Sequence, residues 1–260
     1  MSRGSLTVPA LEIGIPSGLL ALLVLVHPTM IDTALEGLFY SGFTFPYRES
    51  EVLLLIHSHA KILTEAVLIA TLLLAAFGDR FPKLRITRPE ALCALFGALL
   101  SLLAVAWLKK STGVYCPYET IPFGGAFPVF VPSLPFEARP GSCWPGGFAG
   151  TGYCLVSFWF AFRDRRLRLA RAMLAFALLF GTFCGTVQLA RGMHFPSHNV
   201  ATLLLDWAVC ASVYHAFFRK RILGTGAESA LPRASAGKPL RAEAAYSVRL
   251  ARAPARDFLR

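Results

Sequence analysis

Gln188-Leu-Ala-Arg-Gly-Met-His-Phe-Pro-Ser-His-Asn-Val-Ala-Thr202 joins two long apolar runs and packs an arginine, two histidines and a helix-start signal into one short stretch. Arg191 and His194 share about one turn of chain, Pro196 disfavours a helix ahead of it, and Ser197 is a candidate N-cap for the run that begins at Val200. A helix start offers unpaired N–H groups and a partial positive charge. Arg191 adds a two-pronged guanidinium, and His194 an imidazole able to act as nucleophile or proton carrier, so the stretch suits an anion. The plainer reading of the same residues is an interfacial loop whose Arg and His face lipid headgroups.

The runs on either side decide the class. At 260 residues with 55% hydrophobic residues and a mean hydropathy of +0.55, the chain is too apolar for an ordinary soluble protein. Six apolar runs approach the length that crosses a hydrocarbon core: Ile13–Met30, Val52–Phe77, Ala91–Leu108, Phe148–Phe162, Ala172–Leu189 and Val200–Phe218. Backbone groups in lipid must be satisfied within a segment, so each run is read as a helix. The expected fold is an all-α polytopic membrane protein: a six-transmembrane-helix bundle over residues 1–218, followed by a basic, disordered cytoplasmic tail over 219–260. Glu12 and Pro16 interrupt the first run, which argues against a cleavable signal peptide.

Charge sets the expected orientation. Twenty of the 26 Lys and Arg fall at Arg3, between Asp79 and Glu90, between Arg163 and Arg171, and after Phe218. Lysines and arginines favour the cytoplasmic side, so both termini are expected in the cytoplasm of a bacterial inner membrane, with the opening stretch facing the periplasm. The net charge of +11 is then a topology signal rather than a sign of nucleic-acid binding. Lys109 and Lys110 stand on the outer side against that bias, which an anionic ligand would explain, as would snorkelling to headgroups.

Elsewhere the polar residues are sparse. The outer loop from Ile31 to Glu51 carries no evident chemistry. His57, Lys61 and Glu65 share one face of the second span, read first as a Lys61–Glu65 pair beside a satisfied histidine and second as a proton path or substrate contact. The long loop from Ser111 to Gly147 holds Cys116 and Cys143, which alone among the six cysteines lie outside the spans, on the oxidising side; they are a candidate disulfide. Cys93, Cys154, Cys184 and Cys210 read as small hydrophobes. Gly146 and Gly147 precede the fourth span and can bring backbone amides close to an anion. In the last span, Thr202 and Asp206 follow His198 on one face, where Asp206 is expected to make a structural hydrogen bond or to orient a hydroxyl or water.

Three spaced motifs on one face resemble those of the membrane-bound type 2 phosphatidic acid phosphatase superfamily, relatives of bacterial lipid phosphatases and vanadium haloperoxidases. Lys109, six residues, then Cys116-Pro117 is similar to its first motif; WPGGFAGTGY, from Trp144, to its second; and QLARGMHFPSHNVAT, from Gln188, to its third. A bacterial subgroup with KxxTGVxCPW, CFPAGHAS and RGAHFxSHD strings is closer still. The resemblance covers residues 11 to 218. It implies a phosphatase acting without a cofactor or metal, in which Lys109, Lys110, Arg191, Gly146 and Gly147 hold phosphate and His194 attacks phosphorus to give a phosphohistidine. His198 stands where the family has the carboxylate that orients the nucleophile, and Gln188, Ser197, Asn199, Thr202 and Asp206 support the site. Such chemistry needs these residue types because cations and aligned amides stabilise the charge spread over the equatorial oxygens while a neutral imidazole attacks.

Three departures set the alternatives. The second motif's His is Phe148, the first motif's Arg is Cys116, and the subgroup's Asp after the second His is Asn199. Phe148 cannot donate a proton, and losing a positioned general acid typically costs about 10²–10⁴ in rate. The expectation is a phosphatase acting on a membrane lipid phosphate or diphosphate monoester, with either His198 delivering the proton or a diphosphate as substrate; which of His194 and His198 attacks is open. A catalytically degraded relative that binds anionic headgroups or assists a partner is the second reading. A membrane metalloprotein using His57, His59, His194 and His198 is the third, without a tight ligand motif. Neither the lipid nor the oligomeric state is legible.

Overall fold

A computed structural model describes residues 4–80, 86–129 and 141–230. Arg139 and the tail beyond 230 lie outside them. The chain divides into two units, Met1–Gly226 and Ala227–Arg260, and the site described below lies in the first. The described residues form α1 (Gly4–Val26), α2 (Thr29–Glu36), α3 (Glu51–Phe77), α4 (Arg88–Ser111), α5 (Gly147–Tyr153), α6 (Ser157–Phe162), α7 (Leu167–Ala190), α8 (Pro196–Val213) and α9 (Arg219–Ala230), with no strand among them.

This is an all-α membrane protein. Five helices are long and apolar enough to span a bilayer: Val8–Val26 within α1, α3, α4, α7, and the path from Pro196 to Gly224. The fourth expected span is shorter: Gly147–Phe162 is α5 and α6 joined by a 3₁₀ turn at Cys154–Val156. Its glycines are the reason for its place. A Cβ on Gly152 would come 2.2 Å from the backbone nitrogen of Gly181, so α5 lies directly on α7. Nearly every residue of α5 and α6 is buried, and these short helices form the centre around which α4, α7 and α8 pack. The outer faces of α1 and α3 carry exposed apolar side chains instead: Leu19, Leu22 and Leu25 on α1, and Leu55, Ile62 and Leu72 on α3.

The end of the bundle holding Glu12, Glu90 and Arg163 is tied by ion pairs. Thr87 gives its N–H and hydroxyl to Glu90 Oε2, closing the start of α4, and Arg166 pairs with the same carboxylate. Arg163 makes a two-pronged pair with Glu12, which His215 also meets at 2.7 Å. Past Val213 the last helix continues through a π-helical turn at Tyr214–Phe218 into α9, with Ile222 fully buried. The segment read as tail therefore begins as helix, because Ile222 gives it an apolar anchor.

Two local expectations are corrected. Ser197 is not the N-cap of α8. Pro196 occupies the first helical turn, where its missing N–H is harmless, so the helix starts earlier and Ser197 falls inside it. No Lys61–Glu65 ion pair forms among the described residues; both side chains are exposed at the mouth of a cavity between α3 and α4.

Candidate active site

At the end of the bundle opposite Glu90, the turn between α7 and α8 is folded inward. Gly192 takes a positive φ of 67°, and the Phe45 ring lies where its side chain would be, 2.4 Å from an ideal Cβ. Met193 N–H donates to the Gln188 carbonyl at 2.8 Å, and the turn presents Arg191 and His194 inward, where they are 7% and 4% exposed. Phe45, Phe123 and Phe195 pack together above it with Tyr40 alongside.

Arg191 is braced rather than paired. Its Nε donates to the Arg48 carbonyl at 3.0 Å and one Nη to Gln188 Oε1 at 3.2 Å. No carboxylate lies within ion-pair distance of it among the described residues, and the same holds for Lys109. Lys109 lies along the first turn of α5: a Cβ on Gly147 would be 3.3 Å from its Nζ. Lys110, one residue on, is exposed and is not among the side chains lining the Lys109 cavity, as the helical turn between neighbours requires.

The turn before α5 is bound to the start of α8. Gly146 N–H donates to the His198 carbonyl at 3.0 Å, while the Thr202 hydroxyl reaches both the Gly146 and His198 carbonyls. That commits the amide of Gly146, so an anion at this turn meets Gly147. Asn199 closes in behind, its Oδ1 2.4 Å from where a Gly146 Cβ would stand. A disulfide joins Cys116 to Cys143, fastening the segment after α4 to the segment before α5. Its Cys143 sulfur, which has no proton to give, lies 3.4 Å from His194 Nδ1, and the Cys143 backbone carbonyl faces both His194 and His198. The two imidazoles stand 5.9 Å apart, centroid to centroid. Burial first, then the charges of Lys109 and His198, hold His194 well below the ordinary imidazole range. His194 is thus neutral near pH 7, with a lone pair to give.

Two carboxylates that the sequence left unread shape this end. Asp32 of α2 accepts the backbone N–H of Ser197 at 2.9 Å and its hydroxyl at 2.5 Å, so a side chain of the protein already holds the start of α8. The helix start expected to receive an external anion is thus already filled by Asp32. Glu36 is fully buried without a hydrogen-bond partner among the described residues, and burial, then Asp32, pushes its carboxyl up to about 9. Asp32 and Glu36 could not be found from spacing, because α2 meets α8 only in the folded bundle. Asp206 also departs from expectation: it is fully buried, its carboxyl oxygens meet no partner among the described residues, and its backbone carbonyl receives a bond from Ser101. As a metal group, Cys143, His194 and His198 lie close together, but the sulfur is consumed in the disulfide. His59 is exposed and turned to its own helix at Leu55, which removes it from the four-histidine set.

The stretch that carries these side chains, residues 90–222, matches the family model of the PAP2 superfamily. The chain belongs to the PAP2 superfamily. The matched segment runs from the start of α4 into α9 and holds Lys109, Gly147, Arg191 and His194; α1 to α3 precede it. No curated protein and no solved structure matches the chain. Membership of the PAP2 superfamily supports a phosphatase-type activity toward lipid phosphates.

Proposed function

We propose that this PAP2 member hydrolyses a lipid phosphate or diphosphate monoester at the periplasmic face of a bacterial inner membrane through a phosphohistidine on His194. The observation that carries this is the convergence of Lys109, Gly147, Arg191 and a neutral His194 at one end of the bundle with no carboxylate paired to either cation among the described residues. Lys109, Arg191 and the Gly147 turn would hold the phosphoryl oxygens and offset the charge that develops on them. His194 would attack phosphorus along the line away from the leaving oxygen, and water would then release phosphate from the imidazole.

A lipid substrate is favoured by a cavity of ≈ 380 Å³ between α3 and α4. Lys109 and Lys61 stand at its charged end, and Leu68, Leu102 and Val105 continue it toward the middle of the bundle. A phosphate headgroup at Lys109 leaves its chain lying along those apolar side chains. The distribution of Lys and Arg supports a topology with both termini cytoplasmic. Phe148 favours a second reading, a relative that holds anionic headgroups without turning them over, since its buried ring takes the place of the acid.

Phosphate release from phosphatidic acid and from an isoprenyl diphosphate in detergent micelles separates the two. Turnover by the native protein that His194→Ala reduces to background supports the phosphatase. A native protein that binds these lipids without turnover, and gains turnover as Phe148→His, supports the binding protein instead.

A further inference from the structure

Resting on the phosphatase reading, we propose that His57 of α3 is the proton donor to the leaving oxygen. An alkoxide leaving a phosphoryl group needs a proton as its P–O bond breaks, and the nucleophile cannot supply it from the opposite side of phosphorus. Direction selects the donor. His194 sits on the α7–α8 turn, and His198 lies one helical turn beyond it on the attacking side. The chain of a bound lipid lies in the α3–α4 cavity, so the departing oxygen, which carries that chain, points toward α3. His57 is one turn from Lys61, a residue of that cavity, on the same face and toward the Lys109 end.

Its surroundings hold it there. The His57 ring meets the buried Phe148 ring edge-on, with centroids 4.2 Å apart and planes at 82°. Phe148 opens α5 immediately after Gly147, so the residue that cannot carry a proton positions one that can. Lys61, Arg191 and Lys109 are the cations whose charge reaches the His57 ring, so the ring carries the proton it donates only once the phosphate they hold brings its negative charge beside it. His57 thus shares the charged environment of the nucleophile while remaining only partly buried.

The step balances without a co-reactant. His194 forms the N–P bond, the P–O bond to the lipid breaks, and the protonated imidazole of His57 gives its proton to that oxygen, releasing an alcohol. Neutral His57 then takes a proton from the water that attacks phosphorus. The N–P bond breaks, and hydrogen phosphate leaves with His57 protonated again.

The test compares two leaving groups in the full-length protein. Phosphatidic acid releases an alkoxide that needs a proton; p-nitrophenyl phosphate releases a phenolate that does not. His57→Gln should lower kcat on phosphatidic acid by about 10²–10⁴. On p-nitrophenyl phosphate it should leave a fast first release of nitrophenolate, equal to the enzyme present, followed by slow turnover as the phosphohistidine waits for a base. Phe148→His added to His57→Gln should restore turnover on phosphatidic acid, and His57→Asn should repeat the pattern if the glutamine variant does not fold. A first release slowed equally on both substrates, no loss on either, or native turnover confined to a diphosphate would overturn the assignment. A native protein silent on every phosphate ester would overturn the phosphatase reading with it.

Discussion

The two ends of the bundle use the same residue types in opposite ways. At the end marked by Glu90, the buried or half-buried cations have carboxylates: Arg163 with Glu12, Arg166 with Glu90. At the other end Lys109 and Arg191 have none within ion-pair distance among the described residues, although Asp32 and Glu36 lie at this end, Glu49 acts on Arg191 from further off, and Glu65 lines the same cavity as Lys109. Asp32 is occupied by Ser197, and Glu36 is held uncharged by burial. A buried charge without a partner is costly, so on the reading proposed above the phosphate of the substrate supplies the missing anion. The paired end ties the helices together, whereas the unpaired end leaves its cations open to such a charge.

That difference breaks most readily under substitution. Lys109→Met and Arg191→Met are each expected to reduce kcat/KM by about 10²–10³, the usual loss when one stabilising donor is removed, without lowering the melting temperature. Arg166→Met should do the reverse: it strips a partner from the fully buried Glu90 and costs about 1–3 kcal/mol of stability, with turnover per folded molecule unchanged. Lipid phosphatase assays beside thermal unfolding in detergent check both halves. A Lys109→Met protein that unfolds, or an Arg166→Met protein that is stable but inactive, would remove the distinction.

The sequence exposed one half of this contrast better than the other. Apolar runs marked the long helices, closely for α3 and α4 and less so for α1, which starts at Gly4 rather than Ile13, since hydropathy is a local property; the extra-membrane placement of Cys116 and Cys143 pointed to the disulfide. Lys109, Arg191 and His194 were readable because they sit in short motifs beside helix ends. Pairing was not readable. Glu12 meets Arg163, and Asp32 meets Ser197, across long separations in the chain. The spacing of Lys61 and Glu65 suggested a local pair that does not form among the described residues, where both line the cavity between α3 and α4. The short α5 and α6 also escaped the expectation of six full spans, because packing Gly152 against Gly181 is a tertiary event.

Glu36 sharpens the comparison through pH. The unfolded residue titrates near 4.5, whereas in the folded protein burial first, then the charge of Asp32, moves it to about 9. Between those values the folded state holds a proton that the unfolded state does not, so this residue's contribution is whole below about 4.5 and declines as pH rises toward 9. Glu36→Gln keeps the neutral shape without the titration. It should melt several degrees above the native protein at pH 8 and coincide with it at about pH 4.5. Melting curves that stay parallel across that range would mean that Glu36 is charged in the fold and that carboxylates are not being silenced at this end.

The smallest effect concerns how closely the free cation is held to its glycine turn. A methyl group on Gly147 would meet only the flexible end of Lys109, with Cδ at 3.1 Å and Nζ at 3.3 Å, so the lysine can swing aside without disturbing the backbone. Gly147→Ala should therefore raise KM for phosphatidic acid by about threefold to tenfold, a cost of about 1 kcal/mol at the phosphate, while the melting temperature stays within a degree or two. The same change at Gly152 would press on the backbone of Gly181 and should appear as lost stability instead. If Gly147→Ala leaves KM untouched, Lys109 reaches the phosphate from a position independent of the turn, and the cation and the glycine act as separate parts of the site rather than as one seat.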